Sequence, residues 1–161
     1  MLDKRRWIYM LLPFITSIIF LIGAVVLKCI YGLDYENLLG FKDVLESLVG
    51  FVSIVIGFYS AFYGMIISMS RSTFFLNLKR SRFKKDLPRI LLYSLLSAFM
   101  TLILTIALQI FVNYKNLLGE VIYFVWVFIT GIFLTYALQT SILSIAIVFF
   151  GDSDKIEIKK I

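Results

Sequence analysis

The chain has 161 residues, 61% hydrophobic and 16% charged, with a mean hydropathy of +0.96 and a formal net charge of +6. Soluble domains carry about 45–50% apolar and about 25% charged residues, so this composition excludes an ordinary soluble domain. One cysteine and no histidine exclude an internal disulfide, an imidazole ligand and an imidazole base.

The apolar excess is blocked. Four stretches, 7–27, 47–70, 90–114 and 121–151, contain no charge and run from 21 to 31 residues. A spanning helix needs about 20 predominantly apolar residues. The expectation is an all-α integral membrane protein: a single bundle of four transmembrane helices over about 7–27, 44–78, 88–113 and 120–150. The basic residues set its orientation. Thirteen of the sixteen Lys and Arg lie in the N-terminal lead, the 71–89 connection and the tail, and only Lys28, Lys42 and Lys115 lie in the other two loops. Lys and Arg bias cytoplasmic loops, so both termini are placed in the cytoplasm, with the chain in the inner (plasma) membrane.

The first span follows a short basic lead. A basic lead and an apolar run can form a signal peptide, but this run is long, lacks a small-residue cleavage pattern and precedes three more spans. It is read as a retained helix. Pro13 falls in its first turns, where it tilts or bends the entry. Trp7 and Tyr9 suit the interface. Cys29, at its far end, is read as a small interfacial residue, with an intermolecular disulfide or a lipid modification as alternatives. In the loop that follows, Asp43 and Glu46 have the spacing of a capping box, which starts the second helix near Val44. Leu38, Phe41, Leu45 and Leu48 recur at helical spacing and fit either a short surface helix or an ordered loop.

The second span carries the most distinctive pattern. Gly50, Ser53, Gly57, Ser60, Ala61, Gly64 and Ser68 fall within an arc of about 100° on a helix. Phe51, Val55, Phe58, Tyr59, Phe62 and Met69 take the other side. In a membrane, where apolar burial does not drive helices together, a face of small residues lets another backbone come close. It is read as a packing seam, with a mostly internal contact favoured over one to a second copy. No Gly or Pro follows until Pro88, so the helix is expected to project into the cytoplasm. Beyond it stand Arg71, Lys79, Arg80, Arg82, Lys84, Lys85 and Arg89 against one acid, Asp86. These residues either anchor to anionic lipid headgroups or dock an acidic partner. Direct nucleic-acid binding is the disfavoured version of docking.

Asp86-Leu87-Pro88 has the form of a helix start. On the third span Ser94, Ala98, Thr101 and Thr105 share a face that Gln109 extends, serving either helix packing or a pore lining. Hydroxyls can bond back to their own helix, so such a stripe is not automatically a water path. The tight 113–120 turn makes the last two helices antiparallel neighbours. Tyr123 and Trp126 are expected at the interfacial belt. The last uncharged run is roughly 46 Å long as a helix, so it must tilt, bend or extend out of a roughly 30 Å core. Gly131, Thr135 and Gln139 form a small and polar line, with Gln139 expected to reach the Thr101–Thr105 stripe. Ala137, Ser141 and Ser144 form a second line. The alternating tail 152–161 is expected to be loose.

No span contains an ionisable acid or base of the kind that marks proton relays and ion-coupled transport. The small multidrug transporters place a carboxylate in their first span, and this chain has none there. There is no phosphate-binding Gly-rich loop, no metal-ligand cluster and no base to activate a serine. The expectation is a non-enzyme without cofactor or metal. Helix 2 alone carries a dense glycine face, so no inverted repeat is seen.

The run Gly57-Phe58-Tyr59-Ser60-Ala61-Phe62-Tyr63-Gly64, the Ser/Arg/Lys-rich exit that follows and the Pro-led third span resemble small four-helix membrane proteins of bacterial anti-phage operons, the membrane subunit of Kiwa-type systems in particular. The resemblance is architectural and covers the whole chain. It implies an oligomeric inner-membrane protein whose cytoplasmic face recruits a soluble effector, and it supplies no catalytic residues. Three functions are therefore in competition: an oligomeric anchor or sensor that docks a cytoplasmic protein, a channel or holin-like pore, and a structural subunit of a larger membrane machine.

Overall fold

The computed structural model describes residues 2–32, 35, 38–68, 86–113 and 117–150. Four helices make up almost all of them: α1 (Leu2–Tyr31), α2 (Phe41–Ser68), α3 (Asp86–Phe111) and α4 (Leu117–Phe150). Each is long and apolar enough to cross a membrane. The fold is all-helical, as the four uncharged runs require.

The boundaries differ from the charge-free runs for local reasons. Lys and Arg are good helix formers, so α1 extends through the polar residues at both ends of its apolar run. It stops where Gly32 takes a left-handed conformation (φ 61°) and its N–H bonds the Lys28 carbonyl at 3.1 Å. Gly40 (φ 78°) sets up α2 three residues earlier than the Asp43 capping box implies. Val44 N–H donates to Gly40 O at 3.1 Å, so Asp43 lies inside the first turn rather than at the cap. Its charge still complements the positive end of the helix dipole there. The Leu38, Phe41, Leu45, Leu48 repeat is neither a surface helix nor a free loop. Phe41 and Leu45 are buried on α2, and Leu38 and Leu48 pack against the same cluster. The projection of α2 over 69–78 lies outside the described residues.

The helices do not pack as a square. α4 lies between α1 and α3, and α2 packs along α3. Side chains of α2 also reach α4, as in the ring contact of Phe51 with Phe133 at 6.0 Å. The junction of α1–α2 and that of α3–α4 share one end of the molecule, called here the short-loop end. The opposite end holds the start of α1, the end of α2, the start of α3 and the end of α4.

The molecule is apolar outside and mixed inside. Leu, Ile, Val and Phe side chains cover the exposed surface of all four helices, while nine Ser or Thr residues are buried among the described residues. This is the distribution expected where lipid is the solvent, because small and hydroxylated residues let helices approach closely. Most of these hydroxyls donate to a carbonyl of their own helix, as Thr105 does to Thr101 at 2.7 Å and Ser144 to Thr140 at 2.8 Å. Such bonds satisfy the donor without help from water.

Candidate functional site

The small-residue face of α2 is uncovered. Gly50, Ser53, Gly57, Ser60, Ala61 and Gly64 are all exposed. A Cβ placed on Gly50, Gly57 or Gly64 would meet nothing within 4 Å. The expectation of a mostly internal seam is corrected: among the described residues these glycines pack against no other helix. The reason is visible on the other side of α2. Leu45, Val52, Tyr59 and Phe62 are buried there, so the bulky face is the one turned to α3 and α4. Ser53 and Ser60 donate to Val49 O and Ile56 O at 2.7 and 2.9 Å, so the open face carries satisfied hydroxyls. Ser68 ends the described part of α2.

The hydroxyl stripe of α3 has the opposite fate. Ser94, Ala98, Thr101 and Thr105 are fully buried, and Gln109 is half-buried. Two cross-helix contacts fix the register between α3 and α4. Ser94 Oγ and Thr140 Oγ1 share a hydrogen bond at 2.6 Å, and Trp126 Nε1 donates to Thr105 Oγ1 at 2.9 Å. Gln139, half-buried, neighbours Thr140 and so lies at the level of Ser94. Thr101 is seven residues further along α3, about 10 Å on a helix, which places it below the reach expected of Gln139. Trp126 likewise faces the neighbouring helices rather than lipid. It is buried among Phe41, Tyr123 and Thr105. Within one chain the stripe is a packing face.

The glycine that does allow a close helix approach is Gly131. A Cβ there would stand 2.9 Å from Ser17 Cα, so α1 and α4 cross with their backbones nearly touching. Two bonds flank the crossing: Ser17 Oγ donates to Phe128 O, and Thr16 Oγ1 meets Thr135 Oγ1 at 2.5 Å. Thr135 thus belongs to the α1 contact, a role its spacing on α4 did not reveal. Pro13 and Ala24 continue the buried strip of α1 on either side.

At the short-loop end, polar pairs tie the helices together. Lys28 Nζ bonds Glu120 and stands 5.9 Å from the centre of the Phe124 ring. Lys42 Nζ donates to Asn113 Oδ1 at 2.7 Å. Tyr35 stacks on Tyr123 at 5.3 Å between ring centres and stands 6.3 Å from Phe41, so its ring meets both α4 and α2. Cys29 is exposed on α1. No group of acidic or cysteine residues that could hold a metal occurs among the described residues.

Of the basic residues, Arg89 is exposed on the first turn of α3. Arg71, Lys79, Arg80, Arg82, Lys84 and Lys85 lie outside the described residues. The chain was compared with family models, with curated proteins and with solved structures, and none matches. The functional reading rests on the residues themselves.

Proposed function

We propose that the protein is an oligomeric inner-membrane anchor or sensor that recruits a cytoplasmic protein through its basic 71–89 segment. In this reading both termini and the segment face the cytoplasm, as the bias of Lys and Arg suggests. The resemblance to Kiwa-type membrane subunits supports a setting in bacterial phage defence. One observation carries the reading: the small face of α2 is open along Gly50, Gly57 and Gly64, on the helix that leads into the basic segment. A second copy can approach that face closely, and an oligomer brings several basic segments together. Anionic headgroups and an acidic protein surface then share the same cations. Neutralising Lys79, Arg80, Arg82, Lys84 and Lys85 together tests the docking. The five-fold variant is expected to insert and extract from membranes normally while its cytoplasmic partner no longer co-purifies. Undiminished co-purification sinks the proposal.

One observation favours a second reading. Ser53 and Ser60 are exposed on the same face as the glycines, so an oligomer that turned this face inward would line a pore with hydroxyls and backbone. Ion or dye release from liposomes containing the protein distinguishes the two. Vesicles that stay tight leave the anchor.

A further inference from the structure

A second surface feature of α2 has a different chemistry from the small-residue face. Asp43, Val44, Ser47, Leu48 and Phe51 line an open groove of about 410 Å³ near the short-loop end. On a helix Val44, Ser47, Leu48 and Phe51 centre about 135° away from the small face, so an oligomer built on the glycines leaves the apolar part of the groove accessible, while Asp43 stands at the edge of that face, seven residues before Gly50. The lining is apolar below its mouth. At the mouth stands the exposed Asp43, which forms no ion pair with another described residue. The neighbouring cation, Lys42, is held by Asn113 and projects from another side of the helix.

Length and charge together suit one kind of occupant. From Asp43 to Phe51 the helix rises eight residues, about 12 Å. One leaflet of a roughly 30 Å hydrocarbon core is about 15 Å deep. The groove therefore runs from the end of the span, where α2 carries Lys42, Asp43 and Glu46, to near the bilayer centre. It is open sideways, the direction from which a lipid chain arrives. We propose that this groove holds one acyl chain of a phospholipid whose primary-amine headgroup pairs with the Asp43 carboxylate. A lipid ammonium donates charge-assisted hydrogen bonds to a carboxylate, whereas a glycerol headgroup brings no cation to it. The proposal is independent of the orientation of the chain and of any partner of the basic segment.

Native mass spectrometry of the full chain tests it. The delipidated protein is offered equal amounts of palmitoyl-oleoyl phosphatidylethanolamine and phosphatidylglycerol. An exposed ion pair supports a preference of about threefold for the ethanolamine lipid. Asp43→Asn is expected to abolish the preference and Asp43→Glu to keep it, with both variants checked for unchanged thermal melting. Ser47→Trp, which fills the groove from an exposed position, is expected to reduce adducts of both lipids. Equal retention by the wild type, a preference that survives Asp43→Asn, or adducts unaffected by Ser47→Trp overturns the proposal. So does a dimer that binds no lipid at the groove, since a second copy is then the occupant.

Discussion

Ser17 of α1 and Gly131 of α4 meet backbone to backbone, with a Cβ on Gly131 only 2.9 Å from Ser17 Cα. Real Cβ atoms do not come so close to a backbone carbon, so any side chain at 131 must push α1 away. α1 packs chiefly on α4, and this crossing is central to its attachment. Overpacking costs typically about 1–3 kcal/mol. Gly131→Val is therefore expected to lower stability by roughly 2 kcal/mol, read as earlier unfolding in detergent and loss of a cysteine crosslink engineered between α1 and α4. Gly23→Val on α1 is the control, because nothing lies within 4 Å of Gly23. Equal effects of the two substitutions would contradict the crossing.

The hydrogen bond from Trp126 to Thr105 links α4 to α3 in a buried setting. Thr105→Val leaves the indole N–H without its acceptor, and Trp126→Phe leaves the hydroxyl with only its Thr101 bond. Interhelix hydrogen bonds in membranes average about 0.6 kcal/mol and reach about 1.7. A double-mutant cycle of these two changes is expected to give a coupling near 1 kcal/mol, since both groups are buried. A coupling of zero would mean that the tryptophan is held by its ring contacts alone.

The four helices could be read directly, because uncharged runs of 21 to 31 residues leave few alternatives. Their neighbours could not. The small arc of α2 and the single mid-span glycine of α4, Gly131, carry the same kind of signal, and the denser one is the one left uncovered among the described residues. What decides is the partner surface. Phe41, Leu45, Val52 and Tyr59 fit the side chains of α3 and α4, and that close van der Waals packing turns α2 bulky-side inward. Spacing along one helix does not contain that competition. The hydroxyl stripe of α3 was legible as a face, yet its partners depended on the antiparallel register, which places Thr105 at Trp126 and Ser94 at Thr140. The Lys28–Glu120 pair left no local mark, since its members are 92 positions apart.

That pair is expected to contribute modestly. Lys28 and Glu120 keep side-chain exposures of 35% and 40%, so water and headgroups screen them. Partly exposed ion pairs contribute about 0.2–1 kcal/mol. Lys28→Gln and Glu120→Gln should each lower stability slightly, and the charge-swapped double variant should recover most of the loss. The recovery should shrink at high salt. A swap no better than the two single changes combined would show that the contact contributes nothing through charge. Lys28 also stands over Phe124, so some of its effect should persist in Lys28→Arg.

Gly57→Leu combined with Gly64→Leu separates packing within the chain from packing between chains. Neither glycine has a neighbour within 4 Å, so two leucines can point outward without displacing α3 or α4. The isolated bundle should therefore keep its stability, and leucine should slightly favour the helix over glycine. Contact with a second copy through this face is another matter. Each leucine holds the approaching backbone off the helix by the width of a side chain, which removes the close approach that small residues permit. If the wild type associates through this face as proposed, the double variant is expected to extract as a folded monomer, measured against the wild type by light scattering in detergent and by crosslinking in membranes. The Lys28–Glu120 and Trp126–Thr105 contacts should persist in it. If the oligomer survives both leucines, the face is lipid-exposed and the association uses another surface. If instead the variant unfolds, α2 turns its small face inward in the membrane.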